Sequence, residues 1–232
     1  MQTRYPQIAL VLFLITGLTP CFSTAQPVMP DYIAVTDERL LNPEAHNWLS
    51  YRGTLDGWGF SRLDEIDESN VQQLEPVWSF STGVLGGHEA PPIVNNGVMF
   101  VTTPGNLVYA IDAASGDLLW RYQHDLPETY IAFHRTNRGV ALYGDKVYTA
   151  TLDARVVALH AATGRKVWDS TVQDNNFGYY ITMAPLAIDD KILVGTSGGE
   201  LGIRGFIVAL DAETGEEVWR TYTVPAPCEP GN

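Results

Sequence analysis

The chain has 232 residues and a formal net charge of −13, with 27 acidic residues against 14 basic ones. So acidic a chain repels nucleic acid and anionic lipid, which excludes both as partners. Charged residues make up only 18% and aromatic residues 11%, a composition that fits a packed core and not a disordered chain.

The first element reads as an export signal. Arg4 precedes the short apolar run of residues 8–19, and small residues lead from it to Ser23-Thr24-Ala25, an A-x-A-like cleavage pattern. The run is shorter than the roughly 20 residues a membrane span needs, and Pro20 before Cys21 argues against lipid attachment. The reading is a signal peptide over residues 1–25, cleaved after Ala25, followed by a periplasmic or secreted domain over residues 26–232. Cys21 leaves with the signal, so Cys228 stands unpaired in the mature chain. In an exported protein such a thiol is buried, pairs with another chain, or marks an incomplete sequence.

Further along, strands and turns repeat. Pro76-Val77-Trp78-Ser79-Phe80 reads as the closing strand of an early blade. Residues 98–102, 146–151 and 191–195 are short β-branched or aromatic runs, and each is followed by a hairpin. The hairpins read Ala110-Ile-Asp-Ala-Ala-Ser-Gly-Asp-Leu-Leu-Trp120, Ala158-Leu-His-Ala-Ala-Thr-Gly-Arg-Lys-Val-Trp168 and Ala209-Leu-Asp-Ala-Glu-Thr-Gly-Glu-Glu-Val-Trp219. Their Ser/Thr-Gly is a turn, because glycine takes a positive φ without steric cost. The tryptophans recur at intervals of 48 and 51 residues, a period of propeller blades. A single four-stranded sheet cannot bury its own face, so a large ring at a fixed position is expected to fill the gap to the next blade. The interiors show no helical periodicity. At this period the chain holds about four blades, the first irregular, where about 4 to 8 close a ring. The expected fold is therefore all-β: an incomplete β-propeller, part of a larger ring.

The repeat Ala-x-Asp-x-x-x-Gly-x-x-x-Trp resembles the tryptophan-docking motif of the pyrroloquinoline-quinone (PQQ) dependent alcohol dehydrogenases. The resemblance extends from about Trp48 to Pro227 and includes the non-repeated stretches Gly87-His88-Glu89, Asn137-Arg138-Gly139, Ile181-Thr182-Met183-Ala184-Pro185 and Ser197-Gly198-Gly199-Glu200. It implies an eight-bladed propeller holding PQQ near its axis beside a calcium or lanthanide ion. It further implies an alcohol-type substrate and an electron acceptor such as a cytochrome c. Carried over by motif, Glu89, Arg138, Thr182, Ser197, Gly198 and Gly199 line the cofactor and Glu200 binds the metal.

The residue types suit these roles. An arginine fork matches adjacent quinone oxygens or a carboxylate, and Glu200 is the hard oxygen donor calcium prefers. The two glycines before it would let the backbone come close to a planar ligand. Without the motif, the same residues read as a loop-fixing salt bridge at Arg138, a turn acceptor at Glu89 and a solvated carboxylate at Glu200. His88 and His134 read as surface or packing residues, since no further His or Cys converges on them to make a zinc site.

Two departures stand out. Where better-known members carry two adjacent cysteines against the PQQ face, this chain has Ala132-Phe133. Either Phe133 stacks on the cofactor instead or the redox tuning differs. The family's catalytic Asp, its further metal ligands and the Trp on the other PQQ face belong to later blades, so no catalytic residue is assigned and the chain by itself is expected to be inactive. The competing reading is a non-catalytic envelope scaffold with similar blades. The Glu89, Arg138 and Ser197–Glu200 segments speak against it, because a scaffold has no use for them together.

Overall fold

A computed structural model describes Met29 and residues 32–229. The expected signal peptide, Cys21 and the cleavage site lie outside the described residues. Three antiparallel four-stranded sheets follow one another along the chain. The first holds β1 (Ile93–Asn95), β2 (Val98–Thr103), β3 (Leu107–Asp112) and β4 (Leu118–Gln123). The second holds β5 (Val140–Tyr143), β6 (Lys146–Ala150), β7 (Arg155–His160) and β8 (Lys166–Thr171). The third holds β9 (Leu186–Ile188), β10 (Lys191–Gly195), β11 (Phe206–Asp211) and β12 (Glu217–Tyr222). In each, neighbours in sequence are neighbours in the sheet, the up-and-down blade of a propeller.

The repeat motif sets the same register three times. Ala110 faces Trp120, Ala158 faces Trp168 and Ala209 faces Trp219, each followed at once by a register shift. The short alanine leaves room for the ring across the strand pair. The Asp of the motif turns the chain: Asp112 Oδ1 accepts from the backbone of Ala114 and Ser115, and Asp211 Oδ1 from Glu213 and Thr214. His160 does the same with Nδ1, accepting from Ala162.

Each tryptophan then docks on the next blade. The indole N–H of Trp78 donates to Ala113 O at 3.1 Å, Trp120 to Ala161 O at 2.8 Å and Trp168 to Ala212 O at 3.1 Å. The ring lies flat against the motif glycine of that same blade. A Cβ at Gly116, Gly164 or Gly215 would sit 2.7, 2.5 or 2.7 Å from the ring of Trp78, Trp120 or Trp168. All three glycines also have positive φ, so the residue is fixed twice, by turn geometry and by the close approach of the indole. Among the described residues no blade follows Trp219, and it is 39% exposed.

Of the expected four blades, three are complete sheets. Ahead of β1 the chain carries Trp78 in an extended segment without a strand, yet that Trp docks as the others do. Also not anticipated, among the described residues, were three short 3-10 turns and the short helix α1 (Asp37–Leu41), capped by the Thr36 side chain; a single turn is too short to show periodicity. Around α1 the N-terminal segment makes two isolated bridges, Val35 pairing with Gly144 in the turn between β5 and β6 and Trp48 with Val94 of β1. The apolar core is continuous across the sheets, from Phe100 and Trp120 through Tyr148 and Val157 to Phe206 and Val208. Among the described residues no helix is long and apolar enough to cross a membrane. Cys228 is exposed, which removes burial from its possible fates.

Candidate functional site

Up-and-down strands place two kinds of connection at one end of every blade: the loop between the second and third strands, and the crossing to the next blade. Four segments meet there. Glu89 lies just before β1, Arg138 ends the crossing to β5, Thr182 lies on the crossing to β9, and Ser197 opens the loop between β10 and β11. Arg138 N donates to Thr182 O at 2.9 Å, and Ser197 exchanges backbone bonds with Tyr180 at 2.7 and 3.3 Å.

The side chains of these four form one polar line. Arg138 Nη2 pairs with Glu89 Oε2 at 3.0 Å, Arg138 Nη1 donates to Thr182 Oγ1 at 2.6 Å, and Thr182 Oγ1 lies 3.2 Å from Ser197 Oγ. Thr182 accepts from a cation, so its own proton is free to go to Ser197, which leaves the Ser197 proton free to donate outward. The Arg138 and Glu89 side chains are 40% and 47% exposed; an ion pair so wet is worth only about 0–1 kcal/mol and yields readily to a better-matched anion.

Gly198 has φ +118°, and a Cβ there would run into the Gly178 carbonyl oxygen. Packing against the neighbouring loop thus admits only glycine at this place. Gly199 faces open space, the condition that close approach requires. Glu200 sits exposed in the single 3-10 turn Gly199–Leu201, between left-handed Gly198 and Gly202. It acts on the same group as Arg138: the phenol of buried Tyr180 is pushed above its ordinary value first by burial and then by the Glu200 charge, while backbone hydrogen bonds from Phe133 and His134 and the Arg138 charge pull it down. Glu200 and Arg138 thus lie within electrostatic reach of one side chain. Among the described residues no three His, Cys, Asp or Glu side chains group to hold a metal.

Phe133 is 59% exposed and, with Gly86, Gly87, Glu89, Pro104 and Thr136, borders a depression of about 270 Å³. Thr136 Oγ1 is buried there without a hydrogen-bond partner, an unmet polar atom of the kind that ligand sites leave. Behind Arg138 an apolar cavity of about 320 Å³ runs between β5, the start of β9 and the N-terminal Leu40, Leu49 and Tyr51. A flat, oxygen-rich molecule matches this set of a cation, hydroxyl donors, an open glycine and an exposed ring.

The sequence had singled out the Asn137-Arg138-Gly139 stretch but gave Asn137 no task. Its side chain is buried and accepts from Thr102 Oγ1 and Gly139 N, both at 2.9 Å, while donating to Ala150 O at 3.0 Å. It holds Arg138 between the first two blades. A second unforeseen group is the buried pair of His124 Nε2 with Asp153 at 3.0 Å, which ties the crossing after β4 to the loop after β6. Neither residue of that pair had a role assigned from the sequence. His88 is exposed and bonds locally to Val84 O. His134 is exposed too.

Residues 48–227 match the PQQ family described as the glucose/ethanol/alcohol dehydrogenase β-propeller domain. The quinohemoprotein alcohol dehydrogenase ADH-IIG of Pseudomonas putida is 38% identical over 94% of this chain and 30% of its own length; a solved ADHIIG structure from that species superposes with a TM-score of 0.79 over 83% of this chain and 29% of that one, at 40% identity. Methanol dehydrogenase [cytochrome c] subunit 1 of Methylobacterium organophilum is 37% identical over 84% of this chain and 33% of its own length. A europium-containing methanol dehydrogenase superposes with a TM-score of 0.77 over 81% of this chain and 34% of that one, at 37% identity. The chain thus spans about a third of the length of the relatives it matches. With its docked tryptophans, its blades and its matched residues 48–227, the chain belongs to the PQQ family of alcohol dehydrogenase β-propeller domains.

Proposed function

We propose that this chain is the cofactor-holding portion of a PQQ- and metal-dependent dehydrogenase that oxidises an alcohol to the carbonyl. In this reading residues 1–25 export it to the periplasm, and electrons leave to an acceptor such as a cytochrome c. The observation that carries the reading is the unbroken line Glu89–Arg138–Thr182–Ser197 at one end of the blades. When bound beside its cation, PQQ supplies a polarised ortho-quinone that takes two electrons and a proton from an alcohol carbon. The chain's own residues bind and orient. Arg138 turns its fork from Glu89 to the ligand oxygens at little cost, and Thr182 and Ser197 order a hydroxyl donor toward the same ligand. Gly198 and Gly199 let the turn bearing Glu200 form, with Gly199 leaving room at its surface, and Phe133 offers a ring in place of the paired cysteines.

Glu200 supplies one carboxylate of the about six to eight oxygens calcium takes. The remaining ligands and the proton-accepting Asp belong, in this reading, to other parts of the whole protein, and the chain alone is inactive. The europium in a solved relative supports a lanthanide as the alternative to calcium.

The test is a fluorescence titration of PQQ into the purified chain, with calcium or a lanthanide present. We expect saturable binding, weakened roughly tenfold or more in Arg138→Ala by the loss of charge-assisted bonds. Absence of saturable binding with either cation refutes the reading, and PQQ-dependent dye reduction by the chain alone refutes its inactivity.

A further inference from the structure

The crossing from β4 to β5 has no strand or helix of its own, yet it carries Phe133 and Arg138. A loop of this length without a backbone ladder needs other partners, or chain entropy disperses it. Its partner is Asn175, which opens the 3-10 turn Asn175–Phe177 on the next crossing.

Asn175 pairs with Ile131 as a neighbouring strand would. Ile131 N donates to Asn175 Oδ1 at 2.8 Å and Asn175 Nδ2 donates back to Ile131 O at 2.8 Å. The same Nδ2 donates to Tyr179 O at 2.7 Å and to Leu152 O at 3.2 Å. One amide, with two protons and one carbonyl, thereby joins three otherwise irregular segments. Its own turn is firmly seated: Asp174 caps it by accepting from Asn176 N at 2.9 Å. Gly178 ends it at φ +91° in a place where a Cβ would meet Leu201 Cδ1 at 2.7 Å. Leu201 follows Glu200.

We infer that Asn175 is a positioning residue for the cofactor mouth: by pairing with Ile131 it holds Phe133 in place beside Glu89 and locks that loop to the turn bearing Glu200. The inference rests on the quinone reading only for what Phe133 faces; the anchoring of the loop does not depend on it.

The test uses the full chain in five forms: wild type, Asn175→Ala, Asn175→Asp, Phe133→Ala and the double variant Asn175→Ala/Phe133→Ala. Hydrogen exchange of the Ile131–His134 amides is expected to rise roughly tenfold or more in Asn175→Ala. In Asn175→Asp the second oxygen replaces the Nδ2 donor and faces the carbonyls of Ile131, Leu152 and Tyr179, so exchange of these amides is expected to rise at least as far. Unchanged exchange of the strand amides shows that a variant has folded, and Phe133→Ala, at an exposed ring, covers the case in which the Asn175 variants do not fold. PQQ affinity falls in Asn175→Ala and in Phe133→Ala, and the double variant falls no further than the worse single one, because both act through the same ring. Unchanged loop exchange overturns the inference. So does faster exchange with wild-type PQQ affinity, which makes Asn175 merely structural. If the wild type takes up no quinone, the proposed function fails instead, and the exchange measurement still decides whether Asn175 holds Phe133.

Discussion

Substituting alanine for Gly164 probes the docking that builds the fold. Two costs add at this position. Its φ of +67° is left-handed, which charges an L side chain about 1–2 kcal/mol. The new Cβ would sit 2.5 Å from Trp120 Cε3 and 2.7 Å from Cδ2, and forcing a methyl into such a packed place costs about 1–3 kcal/mol more. The ring cannot simply slide away, because its N–H is held by Ala161 O at 2.8 Å on the same blade. The expected loss is about 2–5 kcal/mol, a large part of the roughly 5–15 kcal/mol by which domains are stable. Gly97 is the control: its φ is +80° but nothing lies within 4 Å of an added Cβ, so Gly97→Ala should lose only the backbone part, about 1–2 kcal/mol. Urea unfolding followed by tryptophan fluorescence gives both values, with the slope against urea unchanged in each. Equal losses for the two variants would refute the argument that the indole, beyond the turn, demands glycine at the seventh position of each motif.

Three more expectations follow from the same geometry. Trp120→Phe leaves Ala161 O without its donor and should cost about 1–3 kcal/mol, whereas Trp219→Phe, at the half-exposed ring, should be within about 0.5 kcal/mol of wild type; paired urea midpoints check this. Asn137→Ala strips partners from Thr102, Gly139 and Ala150 in a buried place and should cost about 2–4 kcal/mol while weakening PQQ binding through Arg138; both are read on the same samples. Burial alone would raise the Asp153 carboxyl, but hydrogen bonds from His124 and Thr151 and the His124 charge hold it below its ordinary 3.8. A depressed folded value means its stabilisation is in full force above that ordinary value and is lost as pH falls through the lower folded one. Asp153→Asn should therefore flatten the fall in urea midpoint between about pH 5 and the acid limit, and an unchanged slope would contradict the pairing.

Much of the fold could be read from the chain because it rests on local rules. Ser/Thr-Gly with the preceding Asp or His is a turn wherever it stands, and a Trp at a fixed distance after it needs a neighbour to cover it. Three such units in series leave few arrangements but radial blades. Reading the extended segment around Trp78 as a strand went too far, since its ring alone has the expected role. The site was legible only by motif. Thr182 and Ser197 carry no signal as residue types, and they become a site because one crossing and one loop bring them within 3.2 Å of each other. The tasks of Asn137, Asn175 and the His124–Asp153 pair were not legible, because the partners that matter lie 12 to 44 residues away in the chain.

By itself the sequence determined the blade: the period, the hairpins, the alanine opposite each tryptophan and the glycine beneath the next ring, all of which depend on backbone φ and side-chain alternation within a few residues. What only the tertiary structure decided is which polar groups share the open end of the blades. Hydrogen bonds and charges act over a few ångströms, and the separation in space of Glu89, Arg138, Thr182, Ser197 and Glu200 follows from how neighbouring sheets stack, a quantity that no local pattern contains.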